Sequence, residues 1–153
     1  MDVTIYISVF HVGHLKLGTG TYGVVLEHIK DGTPKTKVIF RGINKTTENR
    51  TALLACIKGL SHLNEQCTGV KVLIKSNYII QAINTGAWLT WLETGLNAKK
   101  KPVVNLDLWQ RLYDLVEKYQ TEFIYADIHE YSGWIFSELR RVKIGYKEET
   151  EHV

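Results

Sequence analysis

Near the start of the chain, apolar side chains fall at every second position: Val3, Ile5, Ile7 and Val9 alternate with Thr4, Tyr6 and Ser8. A period of two predicts a half-buried β-strand. Gly13–Gly23 ("GHLKLGTGTYG") is rich in glycine and predicts a turn feeding a second strand, Tyr22–Ile29. "KDGTP" (Lys30–Pro34) is a strong turn signal, and a third strand follows at Thr36–Gly42. Two successive tight connections predict a three-stranded antiparallel meander.

Then the period changes. Leu53, Leu54, Cys56, Ile57, Leu60 and Leu63 recur at three and four, which predicts an amphipathic helix of about four turns. Thr46 or Thr47 can cap its start. Gly69–Ile80 ("GVKVLIKSNYII") reads as a buried strand running into a helix that Ser76 caps and that continues through Ala82. Gly86–Gly95 predicts a short helix bounded by glycines, and "NAKKKPVVN" a basic loop. Asp107–Tyr119 predicts an amphipathic helix, Glu122–Ala126 a fifth strand, and Trp134–Val142 a terminal helix. The order βββαβαααβα implies an α/β fold with a mixed five-stranded sheet, the meander plus two parallel strands, flanked by helices. No repeat or long linker divides the chain, so residues 1–145 are expected to form one domain, followed by a polar tail at 146–153.

At 153 residues the chain is long enough to bury roughly 68–70% of its unfolded surface. No apolar run approaches the roughly 20 residues that span a bilayer. The first residues lack a basic leader. The two cysteines, Cys56 and Cys67, read as free buried thiols in a reducing compartment, so a cytoplasmic location is expected, with no membrane. Net charge is +3, which permits a polyanionic partner without demanding one. The positive charge is concentrated at "AKKKP" (Ala98–Pro102) and "ELRRVK" (Glu138–Lys143).

Four stretches resemble the type 1 ribonuclease H family. "KTTENRTALLACIKGL" (Lys45–Leu60) is similar to the family helix that begins T-T-N-N-R-M-E-L. "KKPVVNLDLWQRL" (Lys100–Leu112) is close to its K-K-P-V-x-N-x-D-L-W-Q-R-L. "GTGTYGVVL" (Gly18–Leu26) resembles its second strand, G-x-G-G-Y-G-x-x-L, and "KSNYIIQAI" (Lys75–Ile83) its D-S-Q-Y-V-x-x-x-I. The resemblance covers nearly the whole chain in order. It implies the ribonuclease H fold and, for the family, cleavage of the RNA strand of an RNA–DNA hybrid. There, four carboxylates hold two divalent metals, because a hard dication takes oxygen ligands and needs its charge neutralised.

Carried over residue by residue, the resemblance places the carboxylates at Ser8 (Phe10 without a gap), Ala52, Lys75 and Ser137. None is acidic. Two serines are poor ligands, alanine is none, and a lysine ammonium repels a dication by several kcal/mol at about 4 Å and an effective dielectric near 20. The expectation is therefore a pseudoenzyme with no resident metal or cofactor, which does not hydrolyse RNA by the family mechanism.

The resemblance also implies a nucleic-acid surface: Thr47 toward a DNA phosphate, Asn49 and Asn77 toward the minor groove, Trp88 and Trp91 along the DNA strand, and Lys99, Lys100 and Lys101 as the basic protrusion. Each has a plainer reading as well. Thr47 is also a helix cap; Trp88 and Trp91, three apart, share a helix face that can be core; three lysines can be a solvated loop. Lys75 either holds a phosphate, pairs with an acid such as Glu48 or Asp127, or snorkels to water. Trp109 reads as core, His129 as structural or exposed, and Asp127, Glu130 and Glu138 as surface acids or, alternatively, a displaced metal cluster. Three functions follow: binding of RNA–DNA hybrid or double-stranded RNA without cleavage; a protein-interaction domain with a vestigial groove, favoured by Glu48 and the apolar "SVFHV" at Ser8–Val12; or, against the pattern of the four positions, an active ribonuclease with a rearranged metal site.

Overall fold

A computed structural model describes residues 1–13 and 17–141. The expected tail at 146–153, and the last residues of the second basic run, Val142 and Lys143, lie outside the described residues. Three strands come first: β1 (Asp2–Val12), β2 (Gly18–Lys30) and β3 (Thr33–Thr46). They are followed by α1 (Glu48–Ser61), β4 (Gly69–Ile74), α2 (Asn77–Asn84), α3 (Ala87–Thr94), α4 (Leu106–Lys118), β5 (Gln120–Tyr125) and α5 (Ser132–Arg141). This is the expected order. The second and third strands are longer than their apolar cores, because the β2–β3 ribbon keeps pairing through polar residues out to Lys30 opposite Thr33.

The sheet order is β3-β2-β1-β4-β5. β1–β2 and β2–β3 are antiparallel, while β1–β4 and β4–β5 are parallel. Alternation along β1 divides the side chains between two faces. Val3, Ile5 and Ile7 join Tyr22, Val24 and Leu26 beneath α1, and Tyr6 joins Val25, Ile135 and Leu139 beneath α5.

α1 is buried more widely than one amphipathic stripe requires. Leu53, Leu54, Ala55, Cys56, Ile57 and Leu60 are all in the core, because α1 lies between the sheet and α4. Both cysteines are free and buried, and burial pushes the Cys56 thiol up to about 12. α3 is bounded by Gly86 and Gly95 at φ 78° and 73°, the left-handed region where glycine carries no Cβ penalty. At Gly20 a Cβ would stand 2.2 Å from Thr51 Oγ1, so the strand reaches α1 only as glycine.

Candidate nucleic-acid interface

Thr47 is the N-cap of α1: its Oγ1 accepts from Arg50 N at 3.1 Å. Glu48 and Asn49, in the first turn of α1, are exposed. Arg50 reaches α4. Its Nη1 and Nη2 donate to Asp107 Oδ1 and Oδ2 at 3.1 and 2.9 Å, and Nη1 also donates to Asn105 Oδ1 at 3.0 Å. Such a bidentate guanidinium–carboxylate pair is directional as well as charged. The Arg50 hydrogen bonds hold the Asp107 carboxyl below its ordinary range, against an opposing push from desolvation. Asn105 Nδ2 and Trp109 Nε1 donate to the Tyr78 hydroxyl at 3.4 and 2.9 Å. The motif residues of α4 thus tie α1, α2 and α4 together.

Trp88 and Trp91 do share a face of α3, and it is the face turned to α4. Trp88 is 6% exposed and packs at 6.1 Å from Trp109 and 5.6 Å from Tyr113. Trp91 is half-buried, 5.5 Å from Trp109. Trp88 therefore takes its packing reading: an interior ring has no face to offer a nucleic-acid strand. Trp109 is fully buried, as expected.

Beyond α3, Asn97 organises the basic loop. Its Oδ1 accepts from Lys99 N and Lys101 N at 2.9 and 3.1 Å, and Asn97 N donates to Lys101 O at 2.9 Å. Lys99, Lys100 and Lys101 are all exposed around this turn. Asn97 was missed by the sequence reading, although an asparagine two residues before a polar run is a turn signal in itself. Asn77, just after the Ser76 cap of α2, is exposed as well.

At the carboxyl end of β1 and β4 a pocket of about 580 Å³ is lined by Ser8, Phe10, Glu48, Lys75, Asp127, His129 and Phe136, among others. Of the four positions that the resemblance matches to carboxylates, Ser8 and Lys75 line it and the other two do not. Ala52 is buried in α1, and Ser137 is exposed on α5 outside that lining. Lys75 Nζ lies 2.9 Å from Asp127 Oδ1, with both side chains 65% exposed. The hydrogen bond and then the charge of Asp127 raise the Lys75 pKa, and Glu48 adds a smaller push in the same direction. Of the readings for Lys75, the acid partner is the one seen, and it is Asp127.

His129 is held by its loop. Its Nδ1 accepts from Tyr131 N at 3.1 Å, so the proton belongs on Nε2, which faces Ile7 O at 3.0 Å and Ser8 Oγ at 3.1 Å. Burial pushes the ring pKa down, the direction that keeps it neutral. His129 is thus half-buried and bonded both to β1 and within its own loop. Beside it Tyr6 donates to Glu130 at 3.2 Å, and burial pushes its phenol up to about 12. Tyr131 donates to the buried Glu27, which the sequence reading missed because a glutamate in an apolar strand carries no label for its partner. Asp127 and Glu130 thus face different partners, and among the described residues no group of three or more His, Cys, Asp or Glu side chains is placed to hold a metal ion. Serine, alanine and a paired lysine at the four positions do not fit the family's metal pair.

The five-stranded order, the helix under the meander and the site at the strand ends define the ribonuclease H class of folds. The RNase H family model matches residues 9–134, and the chain belongs to that family. It is 37% identical over 113 residues to a ribonuclease H of Desulforamulus reducens, covering 73% of this chain and 68% of the relative. Against a ribonuclease H of Lachnoclostridium phytofermentans it is 35% identical over 133 residues, covering 85% and 82%. Among solved structures, LC9-RNase H1, a type 1 enzyme with the type 2 active-site motif, superposes with a TM-score of 0.74 at 21% identity, over 90% of this chain and 69% of that one. LC11-RNase H1, solved in complex with an RNA/DNA hybrid, superposes with a TM-score of 0.58 at 17% identity, over 81% and 84%.

Proposed function

We propose that this ribonuclease H family protein binds RNA–DNA hybrid, or double-stranded RNA, without cutting it by the two-metal route. The observation that carries the reading is the donor set. The positions that the resemblance matches to the family's carboxylates are Ser8, Ala52, Lys75 and Ser137, and of the two acids in the same pocket, Glu48 and Asp127, Asp127 is paired with Lys75. Binding falls to Thr47, Asn49 and Asn77 along the groove and to Lys99, Lys100 and Lys101 at its rim. Trp91 offers only its half-buried edge, and Lys75 meets a phosphate only by leaving Asp127. The relatives' name speaks for cleavage, so activity and binding need separate assays.

The test is fluorescence anisotropy with labelled hybrid at two salt concentrations, duplex RNA and duplex DNA as controls, beside a cleavage assay in Mg²⁺ and Mn²⁺. Hybrid-preferring binding that weakens with salt and leaves the RNA intact supports the reading. Metal-dependent cleavage that is lost when one residue of this chain is changed overturns it.

A second reading is favoured by the surface around α5. Ile128 and Val12 are 81% and 76% exposed, and Phe10, Val12, Phe136 and Leu139 line a shallow groove of about 330 Å³. An apolar rim beside a former active site suits a protein contact. Self-association or co-purification of a protein, insensitive to salt, would favour this reading over the first.

A further inference from the structure

Lys75 stands at the carboxyl end of β4, and β1 runs parallel to β4, so the amino end of β1 marks the opposite end of the sheet. There, a concavity of about 650 Å³ opens between the β2–β3 ribbon and the last turn of α1. Its lining includes Lys30, Lys35, Lys37, His28 and His62. Register explains the gathering. Lys37 pairs opposite Leu26 and Lys35 opposite His28, and Leu26 belongs to the core beneath α1. Side chains on alternate residues share a face, so Lys35, Lys37 and His28 project toward the end of that helix, with the two lysines roughly 7 Å apart along the strand. His62 closes the other side, its Nδ1 donating to Lys58 O at 2.8 Å.

Lys30, Lys35 and Lys37 are exposed and make no ion pair among the described residues. The one acid in the lining is Glu27, and its carboxylate is turned to the other face of the sheet, where it accepts from the Tyr131 hydroxyl. Asp31 in the turn and Glu65 after α1 lie outside the lining. A concave surface lined by one sign of charge concentrates counter-ions of the other sign.

We propose that this concavity is a second phosphate-binding surface, one that takes the backbone of a nucleic-acid strand other than the duplex assigned to the groove. It goes beyond the function proposed above, and it stands or falls separately. The contacts are lysine to phosphate, so they carry position and salt dependence but no base sequence.

The test uses the full chain, ¹⁵N-labelled, titrated at low salt with a short single-stranded oligothymidylate, following amide shifts. Saturable shifts at residues 28–37 and 62–66 are expected. The double variant Lys35→Ala, Lys37→Ala should abolish them, while Lys35→Arg, Lys37→Arg should keep them. Shifts that survive the alanine pair, that map only to the loop at Lys99–Lys101, or that are absent at low salt overturn the proposal. Loss of hybrid binding with the 28–37 shifts intact would overturn only the groove reading.

Discussion

The α1–α4 side of the molecule and the corner between β1, β4 and α5 are built to different rules. On the first side, family-like motif residues bond to one another: Arg50 to Asp107 and Asn105, Trp109 and Asn105 to Tyr78, with Trp88 and Trp91 packed beside them. At the second, the bonds join strand ends to the loop before α5: Lys75 to Asp127, and His129 to Ser8 and Ile7. The bonds of the first side run between helices and share no residue with those of the corner. Of Ser8, Ala52, Lys75 and Ser137 only Ala52 is in the core, so the other three can change with little effect on packing. A cluster of carboxylates repels itself unless a cation neutralises it. At the present corner Lys75 sets one positive charge against Asp127, and burial lowers the His129 pKa.

Several variants would break or sharpen this contrast. The largest effect is expected at Trp109→Ala, which empties the centre of the aromatic cluster and should cost about 3–5 kcal/mol in denaturant unfolding. A loss no larger than that of a surface change would mean that the α1–α4 side does not carry the fold. Next, replacing Lys99, Lys100 and Lys101 by alanine should reduce the salt slope of hybrid binding by about 3, since each phosphate contact contributes about one; an unchanged slope in anisotropy would remove the loop from the interface.

Asp107→Asn should cost about 1 kcal/mol at neutral pH, a figure reduced for screening because the Asp107 side chain is 62% exposed while Arg50 is 17% exposed. The Asp107 pKa is lowered in the folded state, so its contribution is present above the unfolded carboxylate value and is lost as pH falls through the folded one. The gap between wild type and Asp107→Asn in unfolding midpoint should therefore close in acid. A gap that persists there would assign the effect to packing.

The smallest effect belongs to the corner. Lys75→Ala, at an exposed pair, should leave the unfolding midpoint unchanged within error. Lys75→Asp on its own should not bring metal-dependent cleavage, because Ala52 and Ser137 still offer no carboxylate. Cleavage by that single variant would show that Asp127 and Glu48 complete a site with it.

Much of the fold was legible along the chain because strands and helices write their periods locally. The alternation at Val3–Val9 and the three-and-four spacing at Leu53–Leu60 needed no partner to be read, and the glycines around α3 marked its ends by their own conformational freedom. Strand lengths were less legible, since polar residues at Lys30–Lys37 pair as well as apolar ones once the ribbon is formed. For the site, residue type was informative and neighbourhood was not. Trp88 and Trp91 were placed on one face by their spacing, but spacing does not say whether that face meets α4 or a groove.

By itself, then, the amino-acid order determined the succession of elements and the membership of the family, both properties of short local runs. Tertiary structure decided which charges meet. It brought Asp127 to Lys75, locked His129 against Ile7 and Ser8, turned Trp88 inward, and gathered Lys30, Lys35 and Lys37 beside His62 with Glu27 facing away. Those outcomes rest on sheet register and helix docking, which join residues far apart in the chain and so leave no local trace in it.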